Sequence, residues 1–144
     1  MDGLKLTALD AQDLEILSAH TQDSVVRAGD MQFLPRQQKF ILTLSRFDWE
    51  HALESGGLKR RRSVLQFTRV QAVKVKAIPQ GEADVALDLL SFGFEVGEAP
   101  SGDIVLNFAG GGTIRLQVEC IEAQLADLAA AWAAQSLPAH SEKG

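Results

Sequence analysis

The run Thr113-Ile114-Arg115-Leu116-Gln117-Val118-Glu119-Cys120-Ile121-Glu122-Ala123-Gln124-Leu125-Ala126-Asp127-Leu128 changes its period partway along, and the fold turns on how it is read. Ile114, Leu116, Val118 and Cys120 alternate with Arg115, Gln117 and Glu119, the period of a strand with one dry face. From Ile121 onward, Ile121, Leu125, Leu128 and Trp132 fall at i, i+4, i+7 and i+11, the spacing of one helical face. Alanines, the best helix formers, fill the positions between. The spacing predicts a helix over about Ile121 to Gln135 that follows a strand directly and carries Trp132 into the core.

Working outward, Ala109-Gly110-Gly111-Gly112 reads as a hairpin loop back to a strand over Asp103 to Phe108. Before it, Val85 to Val96 reads as a long strand with Leu90, Phe92 and Phe94 on one face, and Pro79-Gln80-Gly81 as a break. Arg61 to Phe67 and Val70 to Ile78 are further strands, with Val73 and Val75 opposite Lys74 and Lys76. Whether Thr68-Arg69 turns the chain or only bends one long strand stays open. Lys39 to Phe47 places Phe40, Leu42 and Leu44 on one face. Ser24 to Leu34 is a strand interrupted near Gly29-Asp30 by a bulge or a turn. Asp10 caps a helix over about Ala11 to Thr21. The polar stretch from Asp48 to Leu58 reads as the longest surface loop.

This order, about seven antiparallel strands between an N-terminal helix and a C-terminal capping helix, is a mainly β, α+β pattern. It resembles the pleckstrin-homology superfold, whose partly open barrel is closed by a terminal helix. The resemblance is one of architecture and implies no motif. A curved single sheet with both helices on one face is the alternative. Residues 1–135 form one domain and 136–144 a disordered tail. Leu17-Ser18-Ala19-His20, Arg27-Ala28-Gly29-Asp30-Met31, Arg46-Phe47-Asp48-Trp49-Glu50 and Phe108-Ala109-Gly110-Gly111-Gly112 also resemble a small family of uncharacterised bacterial proteins. So does the run from Arg115 to Leu128. That resemblance implies no activity, cofactor or catalytic residue.

With 144 residues, 46% hydrophobic and 23% charged, the chain has the composition of one soluble domain. The start lacks the basic and apolar pattern of a signal peptide, and no apolar run reaches the length of a membrane span, so a cytoplasmic location is expected. The charge is uneven. Between Ser55 and Gly81 there are seven basic residues and no acidic one, a local charge of +7 within a net charge of −5. The acidic total disfavours nucleic acid, and anionic lipid is a weak fit.

No constellation points to catalysis. His20, His51 and His140 share no metal-ligand spacing, Cys120 falls in the dry phase of its strand as an inert thiol, and Gly110-Gly111-Gly112 lacks the helix and Lys of a phosphate loop. No cofactor is implied. What remains is the basic segment. Arg60 and Arg62, facing outward beside Lys74 and Lys76 on a strand pair, either protect a sheet edge by charge or dock an acidic partner, including a second copy of the chain. With Arg46, Trp49, Lys59, Arg61 and Arg69 they form the candidate contact surface of a non-catalytic interaction module. The alternative is a ligand-binding or hydrolytic pocket inside the barrel at which His20, Arg27, Asp30 or Arg115 converge.

Overall fold

A computed structural model describes residues 3–48, 60–79 and 81–128. It holds nine strands and one helix: β1 (Lys5–Ala8), α1 (Ala11–His20), β2 (Ser24–Leu34), β3 (Lys39–Phe47), β4 (Arg60–Phe67), β5 (Val70–Lys76), β6 (Ala86–Val96), β7 (Gly102–Phe108), β8 (Thr113–Val118) and β9 (Ala123–Asp127). A 3₁₀ turn at Pro35–Gln37 joins β2 to β3. All strands belong to one open antiparallel sheet in the order β1-β9-β4-β3-β2-β6-β7-β8-β5. The expected seven-stranded pleckstrin-homology-like barrel with a C-terminal capping helix is therefore overturned.

The decisive error lies in the run after Ile121. Positions i and i+4 share a face in a helix and in a strand alike, so Ile121 and Leu125 fit both. The discriminating positions are Ala123 and Asp127, which are buried in phase with Ile121 and Leu125 and make this segment the strand β9. An aspartate in a dry phase hides a strand from a hydrophobicity reading. The rest of the expected helix, from residue 129 with Trp132, lies outside the described residues, as does the expected tail. β1 also escaped notice, because four residues with Leu6 and Ala8 inward carry too little pattern.

Several local readings hold. Asp10 caps α1, its carboxylate accepting the Asp13 N–H at 2.8 Å. β3 and the β7–β8 hairpin lie where alternation places them, and Gly110 and Gly111 take the positive φ values, 89° and 93°, that the hairpin turn needs. The Gly29-Asp30 interruption is a break in the ladder: the β2–β3 register shifts between Val26, opposite Leu44, and Met31, opposite Leu42. In β6 a register irregularity between Leu89 and Ser91 turns Leu90 outward, so Leu89 and Phe92 are buried instead of Leu90 and Phe92.

The strand order forces the sheet to roll. Phe67 and Val70 end β4 and begin β5, yet these strands take places three and nine. Six spacings on a flat sheet come to about 29 Å, whereas three Cα steps reach at most about 11 Å. The same conflict holds between β8 and β9. Rolling brings the Phe67 and Phe92 rings edge to face at 5.5 Å, although β3 and β2 lie between their strands. Inside the roll, Leu42, Leu65, Leu106, Leu116 and Leu125 are fully buried, each worth about 1.5–3 kcal/mol of transfer free energy. Helix α1 lies against β6, β1 and β9 and adds Leu14 and Leu17 to this core.

Candidate interaction face and a buried ion-pair network

Alternation decides what each basic residue of β3 and β4 does. In β3, Arg46 shares the inward phase with Phe40, Leu42 and Leu44, and its side chain is 1% exposed. A guanidinium there must be paired. Its Nε and Nη2 donate to the two carboxylate oxygens of Asp127 at 3.0 Å each, and Nη1 donates to the Phe47 carbonyl at 3.1 Å. Asp127 also accepts from Ser63 Oγ at 2.6 Å and from the Leu4 N–H at 2.9 Å. The Asp127 N–H in turn donates to the Leu4 carbonyl at 2.9 Å. One carboxylate thus joins β9, β3, β4 and the chain entering β1. Burial pushes the Asp127 carboxyl up, but the hydrogen bonds from Arg46, Ser63 and Leu4 and the charge of Arg46 together hold it below its ordinary value. Arg61, also inward, donates from Nε to Asp48.

Arg46 and Arg61 are therefore internal ties, and their expected place on a contact surface is corrected. Arg69 is half exposed and engaged with Glu122 at 3.2 Å and Glu119 at 3.8 Å. Trp49 and Lys59, with most of the long loop, lie outside the described residues. The expected strand pair carrying Arg60, Arg62, Lys74 and Lys76 does not exist, since β4 pairs with β3 and β9 while β5 pairs with β8.

The outward phase of the same strands differs. On β1, β9, β4 and β3 the outward residues include Lys5, Lys39, Arg60 and Arg62, and none is acidic. The cations run from Lys39 at one end, past Lys5, to Arg62 and Arg60 at the other. Arg60 lies over the Phe47 ring at 4.0 Å and donates to the Ser45 carbonyl at 2.8 Å, which holds its guanidinium against the sheet. Among the described residues Lys5, Lys39 and Arg62 form no ion pair. Sequence reasoning found Arg60 and Arg62 because they are clustered. It missed Lys5 and Lys39, which join them only through the β1-β9-β4-β3 order.

The outward face of β6, β7, β8 and β5 is charge-balanced. Asp88, Glu95 and Asp103 face Lys74, Lys76 and Arg115, and Arg115 donates to Glu95 at 2.7 Å and to Asp103 at 3.0 Å.

An interior pocket lined by His20, Arg27, Asp30 or Arg115 is not what these residues form. Apolar side chains fill the roll, and among the described residues a cleft of about 380 Å³ is lined by Ala28, Met31, Val75, Ile78, Ala83 and Ile114 among others. Cys120 lies half-buried beyond the end of β8, not in the dry phase expected of it. Among the described residues no three His, Cys, Asp or Glu side chains gather to hold a metal, and no helix is long and apolar enough to cross a membrane.

The pattern of a family described as "Protein of unknown function (DUF2948)" matches residues 4–140. No curated protein and no solved structure matches.

Proposed function

Since the chain belongs to that family of unknown function, whose pattern spans nearly all of it, we propose from its own geometry that it is a non-catalytic interaction module docking an acidic protein surface on the outward face of β1-β9-β4-β3. The observation that supports this is the combination of Lys5, Lys39, Arg60 and Arg62 with no carboxylate in the outward phase of four adjacent strands. Lys on a sheet edge protects against aggregation, but β4 and β3 are interior strands and have no such need. The net charge of −5 opposes long-range attraction to any anion, so docking rests on short-range pairing with these four cations.

The test is a titration with poly-L-glutamate at low and high ionic strength. Binding is expected to weaken with salt. Changing Lys5, Lys39, Arg60 and Arg62 together to Ser is expected to weaken it by about tenfold or more. Unchanged binding in that variant overturns the reading, and tighter binding of duplex DNA than of poly-L-glutamate replaces the acidic protein with nucleic acid.

A further inference from the structure

The roll is not closed. β5 is a terminal strand, laddered to β8 on one side. The distal half of β2, Met31 to Leu34, is laddered to β3, while the β2–β6 ladder stops at Arg27. Two strand edges thus border one seam. It is pinched at one end, where the Val70 N–H donates to the Gln38 carbonyl at 2.9 Å, and it opens toward Lys76. The cleft lies at the open end, with Met31 on the β2 side and Val75 and Ile78 on the β5 side. Its wall is tightly built: the Gly29 N–H donates to the Ala83 carbonyl at 2.9 Å, and a Cβ on Gly29 would lie 2.7 Å from that of Ala83. Val75 is 46% exposed there, a large apolar side chain on a free strand edge.

We propose that this seam binds an extended segment of a partner chain, added as a strand to β5, that alternates acidic and apolar side chains. Beyond Val70, backbone N–H and C=O groups on the outer edge of β5, which has no ladder partner there among the described residues, supply the affinity of strand addition. Alternation then dictates the ligand. Neighbours of Lys74 and Lys76 lie on the outward face, where carboxylates match two lysines that form no ion pair among the described residues. Neighbours of Val73 and Val75 lie on the inner face, where an apolar side chain enters the cleft. Glu82 is among the residues lining the cleft, so carboxylates are favoured along the strand and not at the cleft. This surface is separate from the outward face of β1-β9-β4-β3.

The experiment selects a phage-displayed library of random decapeptides against the full chain and measures the enriched peptide in solution. Alternating acidic and apolar sequences are expected, with hydrogen-exchange protection of the β5 amides on binding. Lys74→Glu with Lys76→Glu, both on exposed positions, is expected to weaken the peptide by about tenfold or more with an unchanged thermal midpoint. Met31→Trp, which fills the cleft, is expected to weaken the peptide by about tenfold or more, and unchanged affinity in that variant overturns the apolar subsite. Failure to enrich any sequence, enrichment of basic peptides, affinity unchanged by the two Lys substitutions, or protection of β1, β9, β4 or β3 in place of β5 overturns the proposal.

Discussion

Two arginine–carboxylate clusters, one inside the roll and one on its surface, have the same chemistry and opposite consequences. Arg46 and Asp127 are each 1% exposed and meet through two hydrogen bonds, with Ser63 and Leu4 satisfying the remaining carboxylate capacity. Arg115 meets Glu95 and Asp103 at comparable distances, but its side chain is 40% exposed. In the first cluster water is gone, so loss of one partner strands the other in a low-dielectric interior. In the second, water replaces whatever is removed. The position of a cation in the strand alternation thus decides whether it holds the fold or meets solvent, and Arg61 between Arg60 and Arg62 shows this within three residues.

Removing the buried carboxylate breaks the comparison most severely. Asp127→Ala is expected to cost about 3–5 kcal/mol in denaturant unfolding at neutral pH, because it removes the carboxylate that takes two hydrogen bonds from the buried Arg46 guanidinium. The double change Arg46→Met with Asp127→Leu should recover part of that loss, the remainder being the Ser63 hydroxyl and Leu4 N–H that lose their acceptor. If the single change costs less than about 1 kcal/mol, the internal tie is not structural.

Acid sharpens the same contrast. The Asp127 carboxyl is held below its ordinary value in the folded chain, so its contribution is present above the unfolded-state value and disappears as pH falls through the folded one. Unfolding free energy measured down an acid series is expected to fall more steeply for the native chain than for Asp127→Asn. Parallel curves for the two would remove Asp127 from the acid response.

At the exposed cluster, Arg115→Ala is expected to cost under about 1 kcal/mol, and less at high salt. The smallest effect is expected at Ser24, whose buried hydroxyl has no partner among the described residues. Ser24→Ala should be neutral or slightly stabilising in a thermal melt, since it removes an unsatisfied polar group. A large loss there would mean that the hydroxyl is bonded in solution.

Much of the sheet was legible in the residues and the site only in part. Lys39–Phe47 and the Gly102–Phe108 to Thr113–Val118 hairpin alternate so regularly that local physics alone places them. Strand β9 was not legible, because the signal that separates strand from helix there is a buried aspartate whose partner, Arg46, lies 81 residues away. Arg60 and Arg62 stood out as part of a basic run, whereas Lys5 and Lys39 gain meaning only from non-local strand order. The break in β6 phase at Leu90 has no local marker either, because it arises where Leu89 and Ser91 register against β7.

The place of β9 between β1 and β4 bears on biosynthesis. Lys5 to Ala8 ladder to Ala123–Asp127, residues that are synthesised long after them. While the chain is being translated, β1 waits for its ladder partner, and the Leu4 amide and Arg46 wait for the same carboxylate. The ties through Asp127 close only after that residue has left the ribosome.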